Sequence, residues 1–449
     1  MLCEDGVELY HKVAANTVLN RSPYPHFDDV YIWEFIIASM IDAACLHSIS
    51  HICVAAHGAS AALVNPDKHG SGLVMPIMDY EWDGVDECAD AYSKLRPNFS
   101  ESFSPDLPTG LNLGRQLYWQ SKNLANDFSK VKYILSLAQY WAWRLSGIAA
   151  SEVSSLGCHT DLWVPKANDF SSFVYGQNWQ SKFPPIVPAW SVLGHIHPNI
   201  CKVTGLSPHC KILTGVHDSN ASLARFLKQP HDEKPIIVST GTWVITMNGG
   251  GDVSKLDEAR DMLANVDVTG KPVCCARFMG GREYAEICKY LGASVAEDCT
   301  LHDVQEIIDN EIYALPDYSG GSGPYGGQTP RIIGAPKSAH ALAALYCALM
   351  IDVELDILDA NRPIVIEGSF AKNSIICNLV SAIRPRQDVF ILNSDSGVAQ
   401  GCLSLALWNS SIYFVPELEK CPKINLDSLG FYRNLWREHC NNTQRINYA

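Results

Sequence analysis

Short apolar runs alternate with longer amphipathic ones along this chain, and small or polar residues stand where the runs end. Runs of four to eight aliphatic and β-branched residues predict strands, whereas apolar positions three and four apart over longer stretches predict helices. The opening stretch MLCEDGVELYHKVAANTVL reads as the end of one strand, a turn at Asp5–Gly6 and a second strand. Asp28 and Asp29 sit where a helix would start, and helical spacing continues to Leu46. ISHICVAAHGAS predicts a strand emerging into a small-residue turn at 57–60, and ALVNPDKHGSGLVMPIMDYEW a hairpin turning at NPDKHG. Helices are expected over 87–95 and 113–131, on either side of the proline-rich loop NFSESFSPDLPTGLNLG. VKYILSLAQYWAWRLSG then predicts a strand running into a helix closed by Gly147.

Near residue 208 the pattern predicts a crossing into a second body. KILTGVHDSNASLARFL and PIIVSTGTWVITM place an aspartate and a glycine turn directly after apolar runs, where open sheets carry their chemistry. A short helix is expected over 256–264, and FMGGREYAEICKYLG sets a glycine pair ahead of another. DYSGGSGPYGGQTPRIIG is a long glycine-rich loop, and 339–349 is apolar on every side, as in a buried helix. PIVIEGSFAKNSIICNLVSAI predicts strand, glycine turn and helix, DVFILNSDSGVAQGCLSLALW repeats that order, and an irregular acidic and aromatic tail follows. Such alternation means mixed α/β domains. The predicted division is 1–208, 209–415 and a tail over 416–449.

Composition narrows the possibilities. A chain of 449 residues is too long for one core. Its net charge of -14 argues against a general nucleic-acid binder while leaving room for a local phosphate site. Sixteen cysteines, without a CxxC and largely inside apolar runs, read as buried thiols. No leader precedes Glu4 and Asp5, and no apolar run approaches the ~20 residues of a membrane span, so a cytoplasmic protein without a membrane partner is expected. His195 and His197 form the one HxH pair, two ligands short of a zinc site, and no metal ligand is assigned.

Asp218, bracketed by His217 and Ser219, could accept a proton from a substrate hydroxyl during phosphoryl transfer; it could equally cap the following helix. STGTW at 239–243 could cradle phosphate or simply turn a hairpin. EGSFAKN at 367–373 offers a helix N-terminus to a nucleotide, although neither a P-loop nor a dinucleotide fingerprint is present. His57, Asp79, Tyr80, Glu81 and Trp82 lie at expected strand exits and suit a polyol, with core packing the alternative for His57 and Trp82.

Taken together, GVHDSNAS with VSTGTW, YWAWRLSG with ASEVSSLGCHTD, and VIEGSFAKNSIICNLVSA resemble the FGGY carbohydrate kinases, in particular the L-fuculose and L-rhamnulose kinase branch. The resemblance covers about residues 4–410. It implies two actin-like (ribonuclease H-like) α/β domains with ATP and magnesium in a cleft, and phosphorylation of a ketose hydroxyl. By resemblance Asp218 would be the catalytic base, Gly241 and Thr242 a phosphate loop, and Gly368, Ser369 and Asn373 part of the adenosine site. Gln328, in PYGGQTP, would lie near the nucleotide. His57, Gly58, Asp79, Tyr80 and Glu81 would face the sugar, with Gln139 and His217 contributing. The family opens with a strand and a DxGxT-type turn, which this chain does not contain, so an N-terminal strand is expected to be missing. An active kinase with that strand restored is the favoured reading, as a monomer or homodimer; a catalytically impaired sugar- or nucleotide-binding regulator is the alternative.

Overall fold

The structure, a computed structural model, describes residues 1–4, 7–228, 234–294, 298–392, 397–412 and 416–447. The turns expected at Asp5–Gly6 and at 393–396 lie outside the described residues. The chain divides into two compact units, Met1–Pro230 with Ala264–Pro272 and Ser396–Val415, and His231–Leu263 with Val273–Asp395 and Pro416–Ala449.

In the first unit, Leu2–Glu4 pairs antiparallel with Val7–Tyr10, as the opening pattern predicts. Asp28 caps the helix Asp29–Leu46 by accepting from the Tyr31 amide. Ala61–Val64 pairs antiparallel with Tyr133–Ser136, whereas the predicted hairpin is reduced to a single bridge between Val64 and Leu73. The helix Leu137–Ser146 follows and ends on Gly147. Two short parallel pairings position the site: Lys211–Leu213 beside His51–Ile52, and Val216–His217 beside Ala55–Ala56. They draw residues 211–217 into the first unit, so the division falls past residue 228 and not near 208.

The second unit is built on a sheet in which Ile236–Thr240, Ile364–Gly368 and Val389–Leu392 run parallel. Val244–Gly249 returns antiparallel to Ile236–Thr240 and pairs on its other side with Pro272–Phe278. The helix Ala339–Ile357 is buried over nearly its whole length, as its unbroken apolar surface requires. On this helix the buried Glu354 accepts from the Thr246 hydroxyl at 2.6 Å.

Two further expectations are corrected. Residues 256–264 are not a helix: a short 3-10 turn, Glu258–Arg260, is capped by Asp257 and leads into the buried strand Met262–Val266. The tail is not irregular either, because Leu429–Asn447 is helical. Leu429, Tyr432, Trp436 and Cys440, spaced three and four apart, are all buried, and Arg433 beside them pairs with the buried Asp352 at 2.5 Å. Among the described residues no helix is long and apolar enough to cross a membrane.

Candidate active site

In the first unit Asp218 is the first residue of the helix Asp218–Leu227, directly after the strand Val216–His217. It does not cap that helix. Its Oδ1 instead accepts from the Ser219 amide at 2.6 Å and lies 3.4 Å from His217 Nε2, while 42% of the side chain stays exposed. The Asn220 side-chain amide lies 3.1 Å from His217 Nδ1, which leaves Nε2 as the ring nitrogen that faces Asp218. Burial lowers the His217 pKa, opposed by Asp218, and keeps the ring neutral at physiological pH.

His57 emerges from the strand Ala55–Ala56, its ring centroid 4.9 Å from that of Tyr80. Burial lowers its pKa too, against the pull of Asp218 and Asp79 and with His217 adding to the fall. His57 Nδ1 is buried without a hydrogen-bond partner among the described residues, as is Gln139 Oε1, whose Nε2 donates to the Thr214 carbonyl at 3.2 Å. Gly58 is required by space: a Cβ there would fall 1.8 Å from Cys158 Sγ and 3.3 Å from His217 Cδ2. Asp79 accepts from the Glu81 amide at 3.2 Å, and Glu81 itself is exposed. The charges acting on His57 and Tyr80 come from carboxylates and His217, with no lysine or arginine among them. The structure thus gathers His57, Gly58, Asp79, Tyr80, His217 and Asp218 around one half-exposed carboxylate.

In the second unit Thr240 and Gly368 lie opposite each other at the carboxyl ends of two parallel strands. Thr240 Oγ1 donates to the Glu367 carbonyl at 2.5 Å and accepts from the Phe370 amide at 2.9 Å, tying the two exits together. Gly368 has φ +86°, and a Cβ would fall 1.9 Å from the Thr240 carbonyl oxygen, so only glycine fits. Thr242, Gly368 and Ser369 are exposed. Asn373 caps the helix Ser374–Ile383, accepting from the amides of Ile375 and Ile376 at 3.1 Å. Glycine turns at the carboxyl ends of parallel strands, followed by a helix N-terminus, are the kind of surface that can face a phosphate.

Gln328 lies elsewhere. It is buried against the C-terminal helix, donating to the Cys440 carbonyl at 3.2 Å, and it lines a cavity of about 1030 Å³ with Arg260, Tyr325, Asp356 and Arg437. None of the glycine-turn residues lines that cavity. The glycine-rich loop before it closes on its own carboxylate: Asp317 accepts from the amides of Ser319 at 2.7 Å, Gly320 at 3.0 Å and Gly327 at 3.1 Å.

Residues 232–412 match the family described as carbohydrate kinase FGGY, C-terminal domain. A solved carbohydrate kinase from Novosphingobium aromaticivorans is 34% identical, with 97% of this chain and 96% of that one covered at a TM-score of 0.87. The chain belongs to the FGGY carbohydrate kinase family. A xylulose kinase from Rhodospirillum rubrum (15% identity, 98% and 95% covered, TM-score 0.78) and a Plasmodium falciparum glycerol kinase solved with ADP (13%, 96% and 88%, 0.73) share its fold. Comparison with curated proteins gives no match. The FGGY fold is thus the α/β, actin-like architecture that the motifs imply.

Two groups of this FGGY chain were not singled out by sequence reasoning. Gly280 and Gly281 open a helix against the phosphate-type turn: the Gly281 amide donates to the Thr242 carbonyl at 3.2 Å. The glycine pair ahead of a helix was the available signal. Glu152 and Ser154 lie behind His217, where Ser154 Oγ accepts from the His217 amide at 3.3 Å, and only the clustering of polar residues in ASEVSS hinted at them. Among the described residues no group of three or more His, Cys, Asp or Glu could hold a metal ion. Magnesium needs less, since it is commonly held by one or two carboxylates together with substrate phosphates.

Proposed function

We propose that this chain transfers the terminal phosphoryl group of ATP to a hydroxyl of a neutral ketose of the fuculose, rhamnulose or xylulose kind. The observation that carries the reading is Asp218: a half-exposed carboxylate at a strand exit, oriented by the Ser219 amide and lying beside the ring of His217. Asp218 takes the proton of the attacking hydroxyl as its oxygen bonds the γ-phosphorus and the bond to ADP breaks. His57 and Tyr80 hold the sugar, and the unpartnered His57 Nδ1 and Gln139 Oε1 are atoms that substrate hydroxyls would satisfy. The carboxylates Asp79 and Asp218, which both act on His57 and Tyr80, favour a neutral sugar over a sugar acid, whose own carboxylate would meet them.

The first unit supplies the sugar side and the second the nucleotide side. Gly241 and Thr242, with the start of the helix at Gly280–Gly281 beside them, would lie at the phosphates, and Gly368, Ser369 and Asn373 at the nucleoside. Magnesium, held largely by the substrate phosphates, would neutralise their charge. ADP release measured over a panel of ketoses and the matching aldonates tests the reading. Turnover on ketoses alone is expected; equal turnover on aldonates would overturn the neutral-sugar assignment, and sugar binding without ADP release would mark a binding protein.

A further inference from the structure

Behind Asp218 lies a buried carboxylate that the proposed reaction does not use. Glu152 has no exposed surface and caps the short helix Val153–Leu156. It accepts four hydrogen bonds: from the Ser154 amide at 2.9 Å, Ser154 Oγ at 2.7 Å, the Ser155 amide at 3.0 Å and Ser155 Oγ at 3.1 Å. An ionised carboxylate can only accept, so the Ser154 hydroxyl proton points at Glu152 and its lone pairs remain for another donor. That donor is the His217 amide, 3.3 Å away.

The geometry has a local cause. The Val216 amide donates to the Val54 carbonyl at 2.9 Å. Along a strand the next amide faces the other way, so the His217 amide points away from Ala55–Ala56 and would be left unpaired without Ser154. The residue it anchors carries the ring that faces Asp218 Oδ1 and precedes Asp218 in the chain.

We propose that Glu152 is a positioning residue for Asp218, acting through the Ser154 hydroxyl and the His217 backbone. The proposal rests on the kinase reading for its kinetic consequence and on hydrogen bonding alone for its structural one. Protonation of Glu152 changes the arrangement: its new O–H can donate to Ser154 Oγ or Ser155 Oγ, and a Ser154 hydroxyl that accepts it turns its own proton away from Glu152. Burial raises the Glu152 pKa to about 7, the serine hydrogen bonds opposing the rise. The titratable groups facing it are Cys53, Cys158 and the neutral His217, with no lysine or arginine among the groups that act on it.

The test compares Ser154→Ala with Ser155→Ala in the full chain. Both remove one hydroxyl from Glu152, but only the first removes the bond to His217. Ser154→Ala is expected to speed exchange of the His217 amide hydrogen by at least about tenfold. It should lower kcat by about tenfold to a hundredfold with the nucleotide KM unchanged, and abolish the fall in kcat expected of the unaltered chain as pH drops through 7. Ser155→Ala should match it in stability and change neither readout. Glu152→Gln, if folded, should behave as Ser154→Ala; if it does not fold, the serine pair decides. Equal His217 exchange in the two serine variants overturns the proposal. If the unaltered chain turns over no sugar, the kinase reading fails, and His217 exchange still decides the positioning role.

Discussion

Gly58 offers a sharp test of how the sugar-side pocket is built. An alanine Cβ at this position would lie 1.8 Å from Cys158 Sγ and 3.3 Å from both Cys158 Cβ and His217 Cδ2. Van der Waals contact needs about 3.5–4.0 Å, so the thiol must retreat by roughly 2 Å from a fully packed interior. Cys158 has no exposed surface, and retreat also breaks its contact with the Ser155 carbonyl at 3.2 Å. Overpacking of this kind costs about 1–3 kcal/mol, and we expect Gly58→Ala near the upper end because Cys158 is fully buried. Cys158→Ala deletes the sulfur at a cost of about 1 kcal/mol. With the sulfur gone, the nearest atoms to a Cβ at 58 are at 3.3 Å, which a shift of a few tenths of an ångström relieves. The double variant should therefore be less destabilised than the sum of the singles by about 1.5 kcal/mol or more. Urea unfolding of the four proteins measures the coupling, and sugar KM should follow the same order because His217 lies beside the added methyl. Additivity within about 0.5 kcal/mol would refute the claim that Cys158 sets the space at Gly58.

Gly368→Ala places a Cβ 1.9 Å from the Thr240 carbonyl at φ +86°, a strain of about 1–3 kcal/mol, and should weaken ATP binding in calorimetry by about tenfold or more without changing sugar affinity. Asp352→Ala strips a buried carboxylate from Arg384 at 2.7 Å, Arg433 at 2.5 Å and Arg437; we expect a loss of about 3–5 kcal/mol and early unfolding of the helix Leu429–Asn447 by hydrogen exchange. Burial raises the Glu283 pKa from 4.5 to about 7, against hydrogen bonds from Tyr346 and Ser319. A raised folded-state value means stability that is full below pH 4.5 and lost as pH rises through 7, so the unaltered chain should lose up to about 3 kcal/mol relative to Glu283→Gln between pH 4.5 and 8. A pH-independent difference in urea unfolding would contradict that assignment.

Much of this architecture was legible where local chemistry and tertiary packing agree. Asp28 ahead of an apolar helix, Gly147 behind one, and the strand–turn–helix of VIEGSFAKN all appear as their patterns predict. What was not legible depends on partners distant in sequence. Residues 211–217 belong to the first unit because they pair with 51–56, a contact that periodicity within one segment does not contain. The helix Leu429–Asn447 was hidden because its charged residues look like a solvated tail until Asp352 is seen between Arg384, Arg433 and Arg437. The inward turn of the glycine-rich loop before Gln328 was not legible either, because glycine-rich segments look alike whether their amides face a ligand or, as here, an internal carboxylate. At the candidate site, Asp218 and the glycine turns were visible as strand exits, whereas Glu152 acts through two hydrogen bonds and a backbone amide and left only a weak trace.

The central claim is that Asp218 is the base of an ATP-dependent sugar kinase. ADP release with a ketose panel, measured for the unaltered chain and for Asp218→Asn, with sugar affinity determined in parallel by calorimetry, tests it most directly. The account predicts turnover on at least one neutral ketose, and a loss of kcat of about 100-fold or more in Asp218→Asn with sugar affinity preserved. Retention of kcat within about threefold in the variant would contradict it.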